Sequence, residues 1–224
     1  MNTIESVVGT LAQTYKLLRP ETILHVDQLT TERQTNPKLR SQWFYTADGE
    51  IYSLQGKKKT PTLAITRGSR NPLFQDSTID VYCEQLRRDE NYRPSDKETQ
   101  RALKAKDSVL IDLTQLKLSE NEEEWSYLAI DTRQWKRLSP EEKKLAQRVY
   151  GPQPEFAANM KMLADAEIAE TRIFVLNPEY VRKHAQQSSL GRASWLNGFI
   201  GSSNFNADVC GRDYQDCARG VRRK

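Results

Sequence analysis

The 224-residue sequence predicts an α+β fold in which an antiparallel sheet is flanked by helices. Two observations carry that expectation. Runs of aromatic and β-branched residues follow one another across short turn sequences, the pattern of hairpin-linked strands. Between them lie helical patterns whose starts are marked by Ser, Pro and Glu at capping positions. No segment repeats at a solenoid period and no Pro/Gly/Ser linker divides the chain, so a single domain over residues 1–224 is expected.

Ile4, Val7, Val8, Leu11, Tyr15 and Leu18 recur at helical spacing, predicting an amphipathic helix over 3–18 that ends before Pro20. In QWFYTADGEIYSLQGKKKTPTLAITR, Asp48-Gly49 stands between two strand-like runs and predicts a hairpin turn. A second turn is expected over Gln55 to Thr60, with Lys57, Lys58 and Lys59 at a solvated tip, and a further strand over Leu63 to Thr66. SRNPLFQD reads as an irregular turn, and Val81 to Arg87 as a short helix.

Ser95 with Glu98 forms a capping box for a helix over 96–106. Asp107 to Leu113 and Trp125 to Ile130 read as strands separated by the acidic loop ENEEE. In LSPEEKKLAQRVYG, Ser139 is the N-cap, Pro140 the first helical residue, Glu142 the reciprocal cap and Gly151 the stop. A helix over about 154–169 is expected to bury Phe156, Met160 and Leu163. TRIFVLNP supplies a buried strand, after which Asn177-Pro178 starts a short helix through His184.

Charge and composition exclude little but narrow the field. Thirty-four basic and 30 acidic residues give a net charge of +4, dispersed along the chain, and phosphate binding depends on clustering. The N-terminal sequence lacks the pattern of a secretory signal, and no run approaches the roughly 20 apolar residues of a membrane span. A cytoplasmic protein without a membrane span is expected. Cys83, Cys210 and Cys217 form no disulfide framework, and the six residues between Cys210 and Cys217 do not match zinc-knuckle spacing, so no metal is expected.

Catalytic signatures are sparse. His25 lies in the apolar run ILHV, where a satisfied core position is expected, and His184 near a helix C-terminus, where a surface position suffices. Nothing matches a phosphate-binding glycine loop, a nucleophile elbow or a two-histidine zinc helix. No cofactor is expected and the chain reads as a non-enzyme. Two alternatives stand beside this reading: a nucleic-acid binder using the basic C-terminal RGVRRK, and an uncharacterised enzyme.

The most informative stretch is SWLNGFIGSSNFNADVCGRDYQDCARGVRRK. From Asn197 to Cys217 it contains no Lys, Glu, Met or Trp, and Gln215 is its one Gln, although Lys and Glu abound before it. A codon of the type any-any-pyrimidine cannot encode those five amino acids, so the composition matches a restriction in the DNA. Arg192-Ala193-Ser194-Trp195, followed by a stretch rich in Asn, Ser, Asp, Tyr and Cys and closed by Arg219-Gly220-Val221-Arg222, resembles the variable region of a diversity-generating retroelement target protein.

The resemblance covers residues 192–223. It implies that a reverse transcriptase rewrites this part of the gene with adenine-directed errors. It also implies a C-type-lectin-like fold, related to that of formylglycine-generating enzymes, with the variable region at its C-terminal end. The ligand surface would then comprise Asn197, Phe199, Ile200, Ser202, Asn204, Asn206, Asp208, Cys210, Arg212, Asp213, Tyr214, Asp216 and Cys217, set among Trp195, Phe205, Ala207 and Val221 as scaffold. Its partner would be a protein or other macromolecule, with a homo-oligomer left open, and nucleic acid is not the expected partner. Asn204, Asn206 and Asp208 alternate with Phe205 and Ala207, as expected of a strand presenting polar side chains on one face.

Overall fold

The computed structural model describes residues 24–36, 39, 44–67, 71, 81, 84, 91–120, 123–199, 202–206 and 217–218; at 44–45, 120, 193, 195–199, 202–206 and 217–218 it describes the backbone. The expected helix over 3–18 lies outside the described residues, as do most of SRNPLFQD and of the segment 81–87.

In chain order the elements are α1 (Val26–Thr35), β1 (Phe44–Gln55), β2 (Thr60–Arg67), α2 (Asp96–Leu103), β3 (Val109–Asp112), β4 (Ser119–Glu120), β5 (Trp125–Asp131), α3 (Pro140–Tyr150), α4 (Glu155–Asp165), β6 (Glu170–Leu176), α5 (Pro178–His184), β7 (Leu190–Phe199), β8 (Ser202–Asn206) and β9 (Cys217–Ala218). The strands form one sheet in the order β3-β2-β1-β7-β8-β6-β5-β4, with β9 beside the start of β1. Neighbours run antiparallel except that β8 is parallel to β6 and β9 to β1.

The helix starts follow their capping chemistry. The Ser95 and Ser139 hydroxyls accept from the backbone N–H groups of Glu98 and Glu142, and each Glu carboxylate accepts in turn from the serine N–H. Asn177 caps α5 through the Glu179 N–H. Gly151 ends α3 at φ 91°, a conformation that suits a residue without Cβ. The helix expected over 154–169 is shorter, because Glu167 adopts a positive φ just after Asp165.

On one face of the sheet, Tyr52, Leu63, Ile65, Leu128, Ile130, Ile173 and Val175 pack against Leu29, Leu145, Val149, Phe156, Met160 and Leu163 of α1, α3 and α4. Phe156 meets the Trp135 ring edge-on with centroids 4.9 Å apart. On the other face a smaller cluster of Ile51, Ala64 and Ala102 seats α2.

The hairpin expected at Asp48-Gly49 is not there. Both residues lie inside β1, opposite Arg67 and Thr66, and the chain turns only at 56–59, within the second turn expected over Gln55 to Thr60, where Gly56 and Lys59 take positive φ. The Asp48 side chain is consumed by tertiary contacts. Its carboxylate accepts the Val26 N–H at 2.7 Å at the start of α1 and pairs with Arg67 Nε at 3.2 Å. Gly49 is needed for space, since a Cβ there would lie 2.3 Å from the buried Asn71 side chain. A register shift against β7 between Tyr45 and Gly49 marks the irregularity that Asp-Gly introduces. The expected solvated tip at Lys57, Lys58 and Lys59 is observed.

His25 also departs from expectation. It precedes α1 with its side chain 24% exposed, and its Nδ1 stands 3.6 Å from Asp48 Oδ1, so it borders the core instead of filling it. His184 ends α5, stacked on Tyr180 with ring centroids 4.2 Å apart.

Candidate functional site

The terminal segment enters the sheet through β7, which pairs with β1 on one side and with β8 on the other. β8 then fills the slot between β7 and β6. Of the candidate ligand residues, Asn197 and Phe199 lie on β7, Ser202, Asn204 and Asn206 on β8, and Cys217 on β9. The register brings four of them together, setting Asn197 opposite Asn204 and Phe199 opposite Ser202, while Asn206 faces Trp195. Cys217 is placed apart, beside Phe44 on β1. Ile200, Asp208, Cys210, Arg212, Asp213, Tyr214 and Asp216 lie outside the described residues, as do Ala207 and RGVRRK.

On the β6 side, β8 pairs in register Ser203 with Thr171, Asn204 with Arg172 and Phe205 with Ile173. Thr171 and Ile173 are fully buried, whereas Arg172 between them is half-buried. Arg172 belongs to a polar and aromatic patch. Its guanidinium lies over the Tyr127 ring at 4.6 Å and bonds Glu170 at 2.8 Å, and Tyr127 packs on Phe174 with centroids 5.4 Å apart. The bond to Glu170 holds the guanidinium above its usual pKa range.

Where the resemblance begins, the chain is bolted down. Arg192 is buried, and its Nη2 donates to Glu124 at 2.6 Å and to Asn91 at 2.5 Å. Its register partner on β1 is Glu50, also buried, which accepts from the Tyr52 hydroxyl; that hydroxyl in turn accepts the Leu176 N–H at 3.2 Å. Burial pushes the Glu50 carboxyl up to about 8, against the opposing pull of the Tyr52 hydrogen bond and the Arg192 charge. The Tyr52 hydroxyl thus links Glu50 on β1 to the Leu176 N–H on β6, with Arg192 of β7 as the register neighbour of Glu50. Next to it, Gly191 presses against Tyr92, leaving 2.4 Å between a would-be Cβ and the ring.

Sequence reasoning did not find Glu50, Asn91 or Glu124. Glu50 and Tyr52 do stand two apart on one strand, hence on one face, but the placing of Glu50 opposite Arg192 is a register fact. Glu124 belongs to the acidic ENEEE run read as a solvated loop, and it is one-third exposed while holding Arg192.

Among the described residues, no group of three or more His, Cys, Asp or Glu side chains is placed to hold a metal, and no helix is long and apolar enough to cross a membrane. No family model and no curated protein matches the chain. In three dimensions it is similar to a solved protein described by the accommodation of massive sequence variation in Nanoarchaeota by the C-type lectin fold. The two share 14% identity and superpose with a TM-score of 0.55 over 88% of this chain and 83% of the other. The chain has the C-type lectin fold. Within that C-type lectin fold, the compositionally unusual segment supplies the end of β7, all of β8 and the start of β9.

Proposed function

We propose that this C-type lectin-fold protein is a non-catalytic binding protein whose residues 192–223 are rewritten by a diversity-generating retroelement to present a variable surface to a macromolecular ligand. The observation that carries the reading is the register of β8, with Asn204 in row with half-buried Arg172 and Phe205 in row with buried Ile173. Register partners in a pleated sheet share a face, so variation confined to alternate positions would leave the core row intact. By the same rule Asn197 and Asn204 would share a row with Arg172, the strand position whose side chain meets Tyr127. The codon-limited composition of 197–217 supports the retroelement part, and the C-type lectin fold, which in the Nanoarchaeota protein accommodates massive sequence variation, supports the use of this scaffold.

In such a surface, Phe199, Ile200 and Tyr214 would supply apolar contact and the Asn, Ser and Asp residues adaptable hydrogen bonds, the division of labour seen in binding loops. The test is the DNA around the gene. A near-duplicate of the sequence encoding 192–223, differing almost wholly at adenines, is expected nearby with a reverse transcriptase gene. A locus with neither refutes the diversification.

A further inference from the structure

A second surface lies far from β8, on the other side of β1 and β7 in the sheet order. Here α1, the end of β2, the start of β3 and one face of α3 enclose an open cleft of about 570 Å³. That is within the roughly 300–1,000 Å³ range of small-molecule sites. Its walls combine apolar Val109, Pro140 and Pro152 with four cations, Arg67, Lys143, Lys144 and Arg148, against one lining carboxylate, Asp27. The cations of α3 recur at helical spacing, so Pro140, Lys143, Lys144, Gln147 and Arg148 share one face.

The four cations differ in what holds them. Arg67 is committed to Asp27 at 2.7 Å and Asp48 at 3.2 Å, and it also donates to the Arg148 carbonyl at 3.3 Å. Lys144 reaches Glu141 at 3.3 Å on the helix surface. Lys143 has no carboxylate within ion-pair distance among the described residues. Arg148 is the unusual member. It is only 9% exposed, donates from Nη2 to the Ile65 carbonyl at 3.1 Å, and its buried Nε–H has no acceptor among the described residues. A buried guanidinium without a carboxylate of its own is costly unless a further anion completes it. Burial, followed by the repulsion of Arg67, pulls the Arg148 pKa below its usual range, against the opposing pull of the Asp48, Asp27 and Asp107 charges.

We propose that this cleft binds a small organic anion, its phosphate or carboxylate head held by Arg148 and Lys143 and its apolar body against Val109 and Pro152. The site does not depend on the reading of β8.

The experiment uses the full chain and three probes: inorganic phosphate, phenyl phosphate and benzoate, titrated by calorimetry at low salt. Saturable binding of one aromatic anion, tighter than inorganic phosphate and weakened about tenfold or more in Lys143→Ala/Lys144→Ala, is the expected result. Both lysines project from the helix without filling the core, and circular dichroism checks that the double variant is folded. A preference for phenyl phosphate or for benzoate identifies the head group. Arg148→Met separates this cleft from scattered surface lysines, since it removes the head-group donor while keeping the aliphatic stem. No saturable binding, binding equal for phenyl phosphate and inorganic phosphate, or affinity unchanged in both variants overturns the proposal.

Discussion

Glu50 is expected to make the fold lose stability as pH rises from about 4.5 towards 8. Its carboxyl is fully buried beside Tyr52 and Arg192, and burial lifts it from the ordinary 4.5 to about 8. Between those values the folded protein keeps a proton that the unfolded chain has released, so stability is fullest below pH 4.5 and declines as pH rises towards 8. The slope expected for one such group is about 1.4 kcal/mol per pH unit, and the whole excursion is on the order of 5 kcal/mol. That is a large share of the roughly 5–15 kcal/mol that holds a domain together. Glu50→Gln removes the proton while retaining an oxygen to accept from Tyr52. Urea unfolding of both proteins at pH 5.5 and 7.5 isolates the effect, because every other titrating group is common to the two. The parent is expected to lose about 3 kcal/mol more than the variant across that interval. Equal losses in the two proteins would refute the assignment of a neutral Glu50.

Two further expectations address the root of the terminal segment and the strand it feeds. Gly191→Ala should destabilise the fold by about 1–3 kcal/mol in urea unfolding, because its Cβ would stand 2.4 Å from a Tyr92 ring that is itself buried. Asn204→Ser and Asn206→Ser, singly or together, should leave the unfolding free energy in urea nearly unchanged, within about 0.5 kcal/mol, as expected if both positions lie outside the core row; a cooperative loss of folding in either would count against β8 as a tolerant display strand.

The helices were largely readable from local chemistry. Ser95, Ser139, Asn177 and Gly151 act within one turn of their own position, so short-range pattern suffices to place the starts of α2, α3 and α5 and the end of α3, whereas α2 stops at Leu103, short of the expected 106. Asp48-Gly49 shows where local reading fails. The dipeptide has the chemistry of a turn, but its carboxylate is claimed by the Val26 N–H and by Arg67, and its missing side chain by Asn71. Distant partners outweighed a local preference for turning.

The candidate site divides in the same way. Residue order alone predicts an alternating strand around Asn204, Phe205 and Asn206, and the composition of 197–217 marks the segment as exceptional. Neither indicates that β8 lies between β7 and β6, because a parallel pairing with β6 joins residues some thirty positions apart with no local signal. The same is true of Arg192, whose partners Asn91 and Glu124 come from two distant segments. By itself, then, the sequence determined the capped starts of α2, α3 and α5, the mixed α+β class and the unusual composition of the terminal stretch, all of which are recorded in neighbouring residues, whereas the start of α1 was not legible there. Tertiary structure alone decided the strand order, the burial of Glu50 and Arg192 and the cationic cleft along α3, because each depends on which distant side chains and backbones meet when the core excludes water.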